Sequence, residues 1–200
     1  MKAHRIAVAA LVAVSVAGMT GCEAISSYFR AQSAAVKWEG DIEEIAFAKL
    51  DKDGKVFDIE MHSRIDHPVD AVWEAMKNPE NLADYSDQYK LSKLLKHEGN
   101  VKELEVHVMA LDNLQQFKMR MEFDDANRSM KLTTLASAIA DIDGSYTLTP
   151  SPDGQKTLYV YKAIQTDKVA LPISVDVQRS AIKESFVNQI RAVKKQLASG

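Results

Sequence analysis

The chain has 200 residues, 46% of them apolar, with 25 Lys or Arg against 28 Asp or Glu and a formal net charge of −3. That balance excludes a disordered chain and a membrane-spanning mature part, and its interspersed charges provide no basic face for a nucleic acid. The only cysteine is Cys22, which excludes any intramolecular disulfide.

Met1-Lys2-Ala3-His4-Arg5 is a short basic segment, and residues 6–21 are uncharged and rich in Ala and Val. This is the outline of a secretory signal. The run is shorter than the roughly 20 residues a membrane-spanning helix needs, and it ends in small residues, Gly18 and Gly21, rather than a basic flank. A signal over residues 1–21 therefore fits better than a retained helix.

Met19-Thr20-Gly21-Cys22 resembles the lipobox of bacterial lipoproteins, in which a small residue precedes a cysteine that is acylated and becomes the first mature residue. Met19 departs from the usual Leu. The resemblance implies lipid attachment at Cys22, palmitate included, a membrane partner through it, and a periplasm-facing envelope protein. Glu23 in place of Asp favours the outer membrane over the inner. The alternative for Cys22 is an ordinary small residue in a signal cleaved nearby. Each buried methylene contributes about 0.8 kcal/mol, so several acyl chains would hold the protein durably.

The mature chain suffices for one domain with a sizeable core. Residues 22–54 read as a tether with a possible extra hairpin strand, and residues 55–200 as the folded domain. Residues 41–50 suit a helix or a strand, but the turn signal Asp51-Lys52-Asp53-Gly54 favours a hairpin with the strand after it. Over 56–65, Phe57, Ile59, Met61 and Ile65 alternate with Asp58, Glu60, His62 and Arg64, which predicts a half-buried strand with the polar set on its wet face. Pro68 opens a helix carrying Val69, Val72, Trp73 and Met76, and Asn78-Pro79 breaks it before a second short helix to about Tyr85.

Six more strands are expected, at about 88–98, 101–110, 114–124, 129–135, 142–149 and 157–165, and their short turn-like separators imply an antiparallel meander. A helix after Pro172 to about Leu197 carries one apolar stripe of Val175, Ile182, Phe186, Ile190, Val193 and Leu197.

That element order resembles the helix-grip fold of the START and birch-pollen-allergen superfamily, also called SRPBCC proteins. The local sequences resemble it too. Ser63-Arg64-Ile65-Asp66-His67-Pro68-Val69-Asp70-Ala71-Val72-Trp73 is similar to the family's passage from strand to helix. Asn78-Pro79-Glu80-Asn81-Leu82 is similar to its turn after the first helix, and Gly144-Ser145-Tyr146-Thr147-Leu148-Thr149-Pro150 with Asp153-Gly154-Gln155-Lys156-Thr157 to its paired late strands. The resemblance spans about residues 55–197. It implies an α+β fold in which a curved antiparallel sheet of about seven strands wraps a long C-terminal helix around a cavity. It leaves the function open, since the fold hosts lipid carriers, sensors and cyclases.

The residues themselves offer little chemistry. His62, His67, His97 and His107 lack metal-ligand spacing, Asp51 and Asp53 lack the remaining ligands of a calcium loop, and no nucleophile elbow or phosphate loop occurs. No metal or cofactor is expected. Tyr146, Tyr159, Tyr161, Asp141 and Asp143 are candidates for a cavity acid or base, although a buried tyrosine is more often a packing residue. Met61, Met119, Met121 and Met130 suit an adaptable apolar surface, or simply a filled core.

The expectation is a hydrophobic small molecule, lipid or isoprenoid-like, bound for transport or sensing by Phe117, Met119, Met121, Phe123, Tyr146, Leu148, Ile182, Phe186 and Ile190. The entrance implied by the resemblance lies at residues 169–172 and 79–86. Two alternatives stay open. One is an enzyme like the polyketide cyclases and dehydratases, and the other a protein-interaction or assembly lipoprotein with a filled core and an exposed apolar patch. No particular protein partner is indicated.

Overall fold

The structure, a computed structural model, describes Trp38 and residues 42–110, 112–169 and 173–199. The expected signal, Cys22 and residues 170–172 of the expected entrance lie outside the described residues.

Eight strands form one antiparallel sheet: β1 (Ile42–Lys49), β2 (Val56–Ile65), β3 (Tyr89–Glu98), β4 (Val101–Ala110), β5 (Asn113–Asp124), β6 (Ser129–Ser137), β7 (Ala140–Pro150) and β8 (Thr157–Asp167). Their order is β1-β2-β8-β7-β6-β5-β4-β3. From β3 to β8 each strand pairs with the next through a short turn. The one long step, from β2 to β3, crosses the sheet and carries α1 (Val69–Met76), a 3-10 turn (Pro79–Asn81) and α2 (Leu82–Tyr85). The last element is α3 (Val175–Ser199). The curved sheet around this helix is the helix-grip architecture.

Within the ambiguous segment, Ile42–Lys49 is a strand, which raises the seven strands of the clear alternating pattern to eight. Its pairing with β2 is fixed by the turn. The Asp51 carboxylate accepts the backbone N–H groups of Lys55 and Val56 at 2.8 and 2.9 Å, and Gly54 takes a positive φ of 66°. Lys49 then lies opposite Phe57 and Phe47 opposite Ile59, with the Phe47 and Phe57 rings 5.3 Å apart. The late strands run slightly beyond their expected ends, β6 to Ser137, β7 from Ala140 to Pro150 and β8 to Asp167.

Alternation on β5 places Phe117, Met119, Met121 and Phe123 inward and Lys118 and Glu122 outward. A bulge between Lys118 and Met119 bends this strand over the helix. The helix begins at Val175, three residues after Pro172, because Ser174 caps it by accepting the Val177 N–H on its hydroxyl. At about 1.5 Å per residue its 25 residues reach roughly 38 Å.

Beneath α1 the interior is solid. Trp73 is fully buried, meets Phe123 edge-on at 5.9 Å, and shares a core cluster with Phe57, Ile59, Met61 and Ile190. Lys102, buried at this end, is satisfied by the Lys77 carbonyl at 2.6 Å and both Glu80 oxygens at 3.0 and 3.1 Å.

The polar face of β2 departs from the expected wet face, since Glu60, His62 and Arg64 are all buried and His62 is only 3% exposed. Pairing makes this tolerable. His62 Nε2 lies 2.9 Å from Glu60, Lys162 approaches the other Glu60 oxygen at 3.3 Å, and Arg64 reaches Glu43 at 3.0 Å.

Candidate ligand cavity

Where α3 rises from the sheet, the interior opens into a cavity of about 420 Å³. This lies within the roughly 300–1,000 Å³ range of small-molecule sites. Its floor comes from the inner faces of β4 to β8, its roof from one face of α3, and one side from Leu82 of α2 and Tyr89 of β3. Gln88 fixes that side by donating from its amide to the Ser185 hydroxyl of α3 at 3.0 Å.

Six of the nine residues expected to hold a ligand line this space: Phe117, Met119, Met121, Tyr146, Ile182 and Phe186. Phe123, Leu148 and Ile190 do not. They belong to the buried core cluster, Phe123 under Trp73, where side chains already fill the volume between sheet and helices. Met61 and Met130 are likewise buried in that cluster rather than in the lining.

The alternation missed Val106, Val108 and Ile142, as well as a row on the helix of Gln178, Ala181, Ser185 and Gln189, polar except for Ala181. The signal for that row was present. These residues recur three and four positions apart, so they share a face flanking the apolar stripe.

Among the described lining residues none carries an acidic or basic side chain. The polar groups are amides, a serine and tyrosines. Asp141 and Asp143, considered as cavity acids, are exposed on the outer face, with Asp141 paired to Lys168 at 2.6 Å. That outer face also bears a shallow, solvent-open depression with charges of both signs, Asp58, Lys131, Asp143 and Lys162.

Three tyrosines gather at the helix, and a fourth, Tyr89, borders the cavity from β3. The Tyr146 hydroxyl donates to Gln189 Oε1 at 3.0 Å, and Gln189 Nε2 donates to the Tyr159 hydroxyl at 3.1 Å. Tyr146 stacks on Tyr161 at 4.7 Å, and Tyr161 lies nearly parallel to Phe186 at 6.1 Å. Burial pushes the phenol pKa of Tyr89 up to about 12. Burial and then the neighbouring phenols raise those of Tyr146, Tyr159 and Tyr161. All four are neutral hydrogen-bonding groups at physiological pH.

A second polar cluster sits where β8 meets the start of α3. Asp167, buried, accepts from Gln165 at 2.8 Å and from Gln178 at 3.4 Å. Burial raises its pKa, and the two amide hydrogen bonds offset this only in part. Gln178 Oε1 is buried with no hydrogen-bond partner.

Gly144 on β7 marks a close approach of strands under the cavity. A Cβ there would stand 2.9 Å from the Lys162 carbonyl oxygen and 3.0 Å from the Ala163 Cβ. No group of His, Cys, Asp and Glu among the described residues could hold a metal ion.

No family model matches the sequence, and no curated protein matches it significantly. Solved structures match its shape. The Zhui aromatase/cyclase from Streptomyces sp. R1128 superposes with a TM-score of 0.64 at 17% identity, over 72% of this chain and 94% of that one. A START superfamily protein from Mycobacterium smegmatis gives 0.60 at 10% identity over 71% and 97%. Ara h 8.0201 gives 0.58 at 14% identity over 72% and 99%. Sheet order, long helix and the cavity between them give this chain the helix-grip fold of the START and birch-pollen-allergen-type proteins.

Proposed function

We propose that this protein is an envelope lipoprotein that holds a neutral, largely apolar small molecule, lipid or isoprenoid-like, between its sheet and α3, for transport or sensing at a membrane surface. The observation that carries the reading is a cavity of about 420 Å³ whose described lining is apolar or uncharged throughout. Burial of an apolar ligand contributes roughly 25 cal/mol per Å², so such a site binds usefully without chemistry. An ionised carboxylate or phosphate placed there would have no counter-ion, and desolvation would exclude it. Acylated Cys22 supplies the membrane anchor, with the domain facing the periplasm and the outer membrane favoured.

The likeness in shape to an aromatase/cyclase keeps a polyketide-directed enzyme as the second reading, and the tyrosine cluster is the feature that favours it. The raised phenol pKa values weigh against it, because none of these groups acts as a base near neutral pH.

The test is fluorescence titration of the full chain with the neutral probe N-phenyl-1-naphthylamine, joined to native mass spectrometry of the protein from its own envelope extract. Saturable uptake near one probe per chain, displaced by the co-purifying molecule, is the expected result. A chain that neither takes up the probe nor carries a molecule would overturn ligand binding.

A further inference from the structure

The polar groups of the cavity divide unequally. Gln189 occupies Tyr146 and Tyr159 with its two amide ends. Tyr89 and Tyr161 also line the cavity, and among the described residues neither hydroxyl has a hydrogen-bond partner. They approach from opposite sides, since β3 lies five strands from β8 in the sheet. Both nonetheless border the same space of about 420 Å³, Tyr161 beside Phe186. Two phenolic donors thus face one space with no cation beside them.

We infer that Tyr89 and Tyr161 form a subsite for a neutral carbonyl oxygen, so that the bound molecule is a ketone-, ester- or quinone-type compound rather than a plain hydrocarbon or a free acid. This rests on the ligand-binding reading above. An sp² oxygen has two lone pairs, so a carbonyl held in this space has acceptor capacity for both phenols. A hydrocarbon would leave two desolvated hydroxyls unpartnered, and removing that mismatch is what separates the two ligand classes. A carboxylate would be buried without a counter-charge.

The probes are 2-propionylnaphthalene and 2-propylnaphthalene, which differ only by a carbonyl in place of a methylene. The full chain is titrated with each, as wild type and as Tyr89→Phe/Tyr161→Phe. The double variant is expected to weaken the ketone by about tenfold, the effect of one to two net hydrogen bonds, and to leave the hydrocarbon unchanged or tighter. In wild type the bound ketone's infrared carbonyl stretch is expected at lower wavenumber than in hexane. That second measurement needs no variant to fold.

An unshifted stretch, or equal weakening of both probes, would overturn the subsite while leaving the cavity reading intact. Failure of wild type to bind either naphthalene or N-phenyl-1-naphthylamine would overturn both.

Discussion

Trp73 of α1 donates its indole N–H to the Asp125 carboxylate in the β5–β6 turn, 52 residues along the chain, at 2.6 Å. This hydrogen bond, with Lys77 nearby as the lesser influence, holds the Asp125 carboxyl below its usual pKa despite some opposing desolvation. It also ties the first helix to the sheet at the filled end, directly above Phe123. Trp73→Phe removes the donor and part of a fully buried side chain. The expected cost is about 1–3 kcal/mol, read as a Tm lower by roughly 2–4 °C per kcal/mol, with probe binding retained because the cavity lies elsewhere.

Ala181 lines the cavity from α3. Ala181→Phe should fill ligand space with side-chain volume, lowering N-phenyl-1-naphthylamine affinity by about tenfold or more while keeping or raising Tm. Unchanged affinity in a well-folded variant would place the probe outside this cavity.

Asp167 is buried with a raised pKa, so its ionisation is disfavoured in the fold. The native state holds the proton more tightly than the unfolded state, so stability falls as pH rises from about 3.8 through the raised value, and the full cost is present at neutral pH. Asp167→Asn removes that cost, and its N–H can reach the unpartnered Gln178 carbonyl after an amide turn. Expected at pH 7 is a gain of up to about 1 kcal/mol, a rise of roughly 2–4 °C, that vanishes near pH 3. Thermal unfolding at both pH values checks it, and a loss of stability at pH 7 would count against the assignment.

His62 has the opposite sign. Burial lowers its pKa and outweighs the raising effect of Glu60, so the fold prefers the neutral ring, whose Nδ1 is buried without a partner. Its contribution is complete above about pH 6.5 and is lost as pH falls through the lowered folded value. Wild-type Tm should therefore drop more steeply than that of His62→Gln between pH 7 and 5. Glu60, whose own pKa is lowered by His62 and Lys162 against the pull of burial, loses its share only below about 4.5.

Cys22→Ala should release or mislocalise the protein while the domain keeps its unfolding profile. Fractionation and metabolic labelling with a fatty acid would show it, and a variant still acyl-labelled and fully membrane-bound would refute the anchor at Cys22.

Much of the fold is written in local patterns. The alternation from Phe117 to Phe123, the turn chemistry of Asp51 and Gly54, and the stripe from Ile182 to Val193 each arise from the period of the element and its flanking residues. The lipobox-like sequence at Cys22 is equally a property of the chain alone.

What alternation cannot carry is the distance between two facing surfaces. Phe117 and Phe123 lie on the same face of β5, yet one lines a cavity and the other is in a filled core, because Trp73 occupies the space above Phe123 only. Tyr89 and Tyr161 line one cavity although their strands stand five apart in the sheet, and His62 is buried on a face whose pattern reads as wet. Sequence determined which side chains turn inward. Tertiary packing alone decided where they touch and where they leave room, since a void is set by the separation of whole elements rather than by any residue in them.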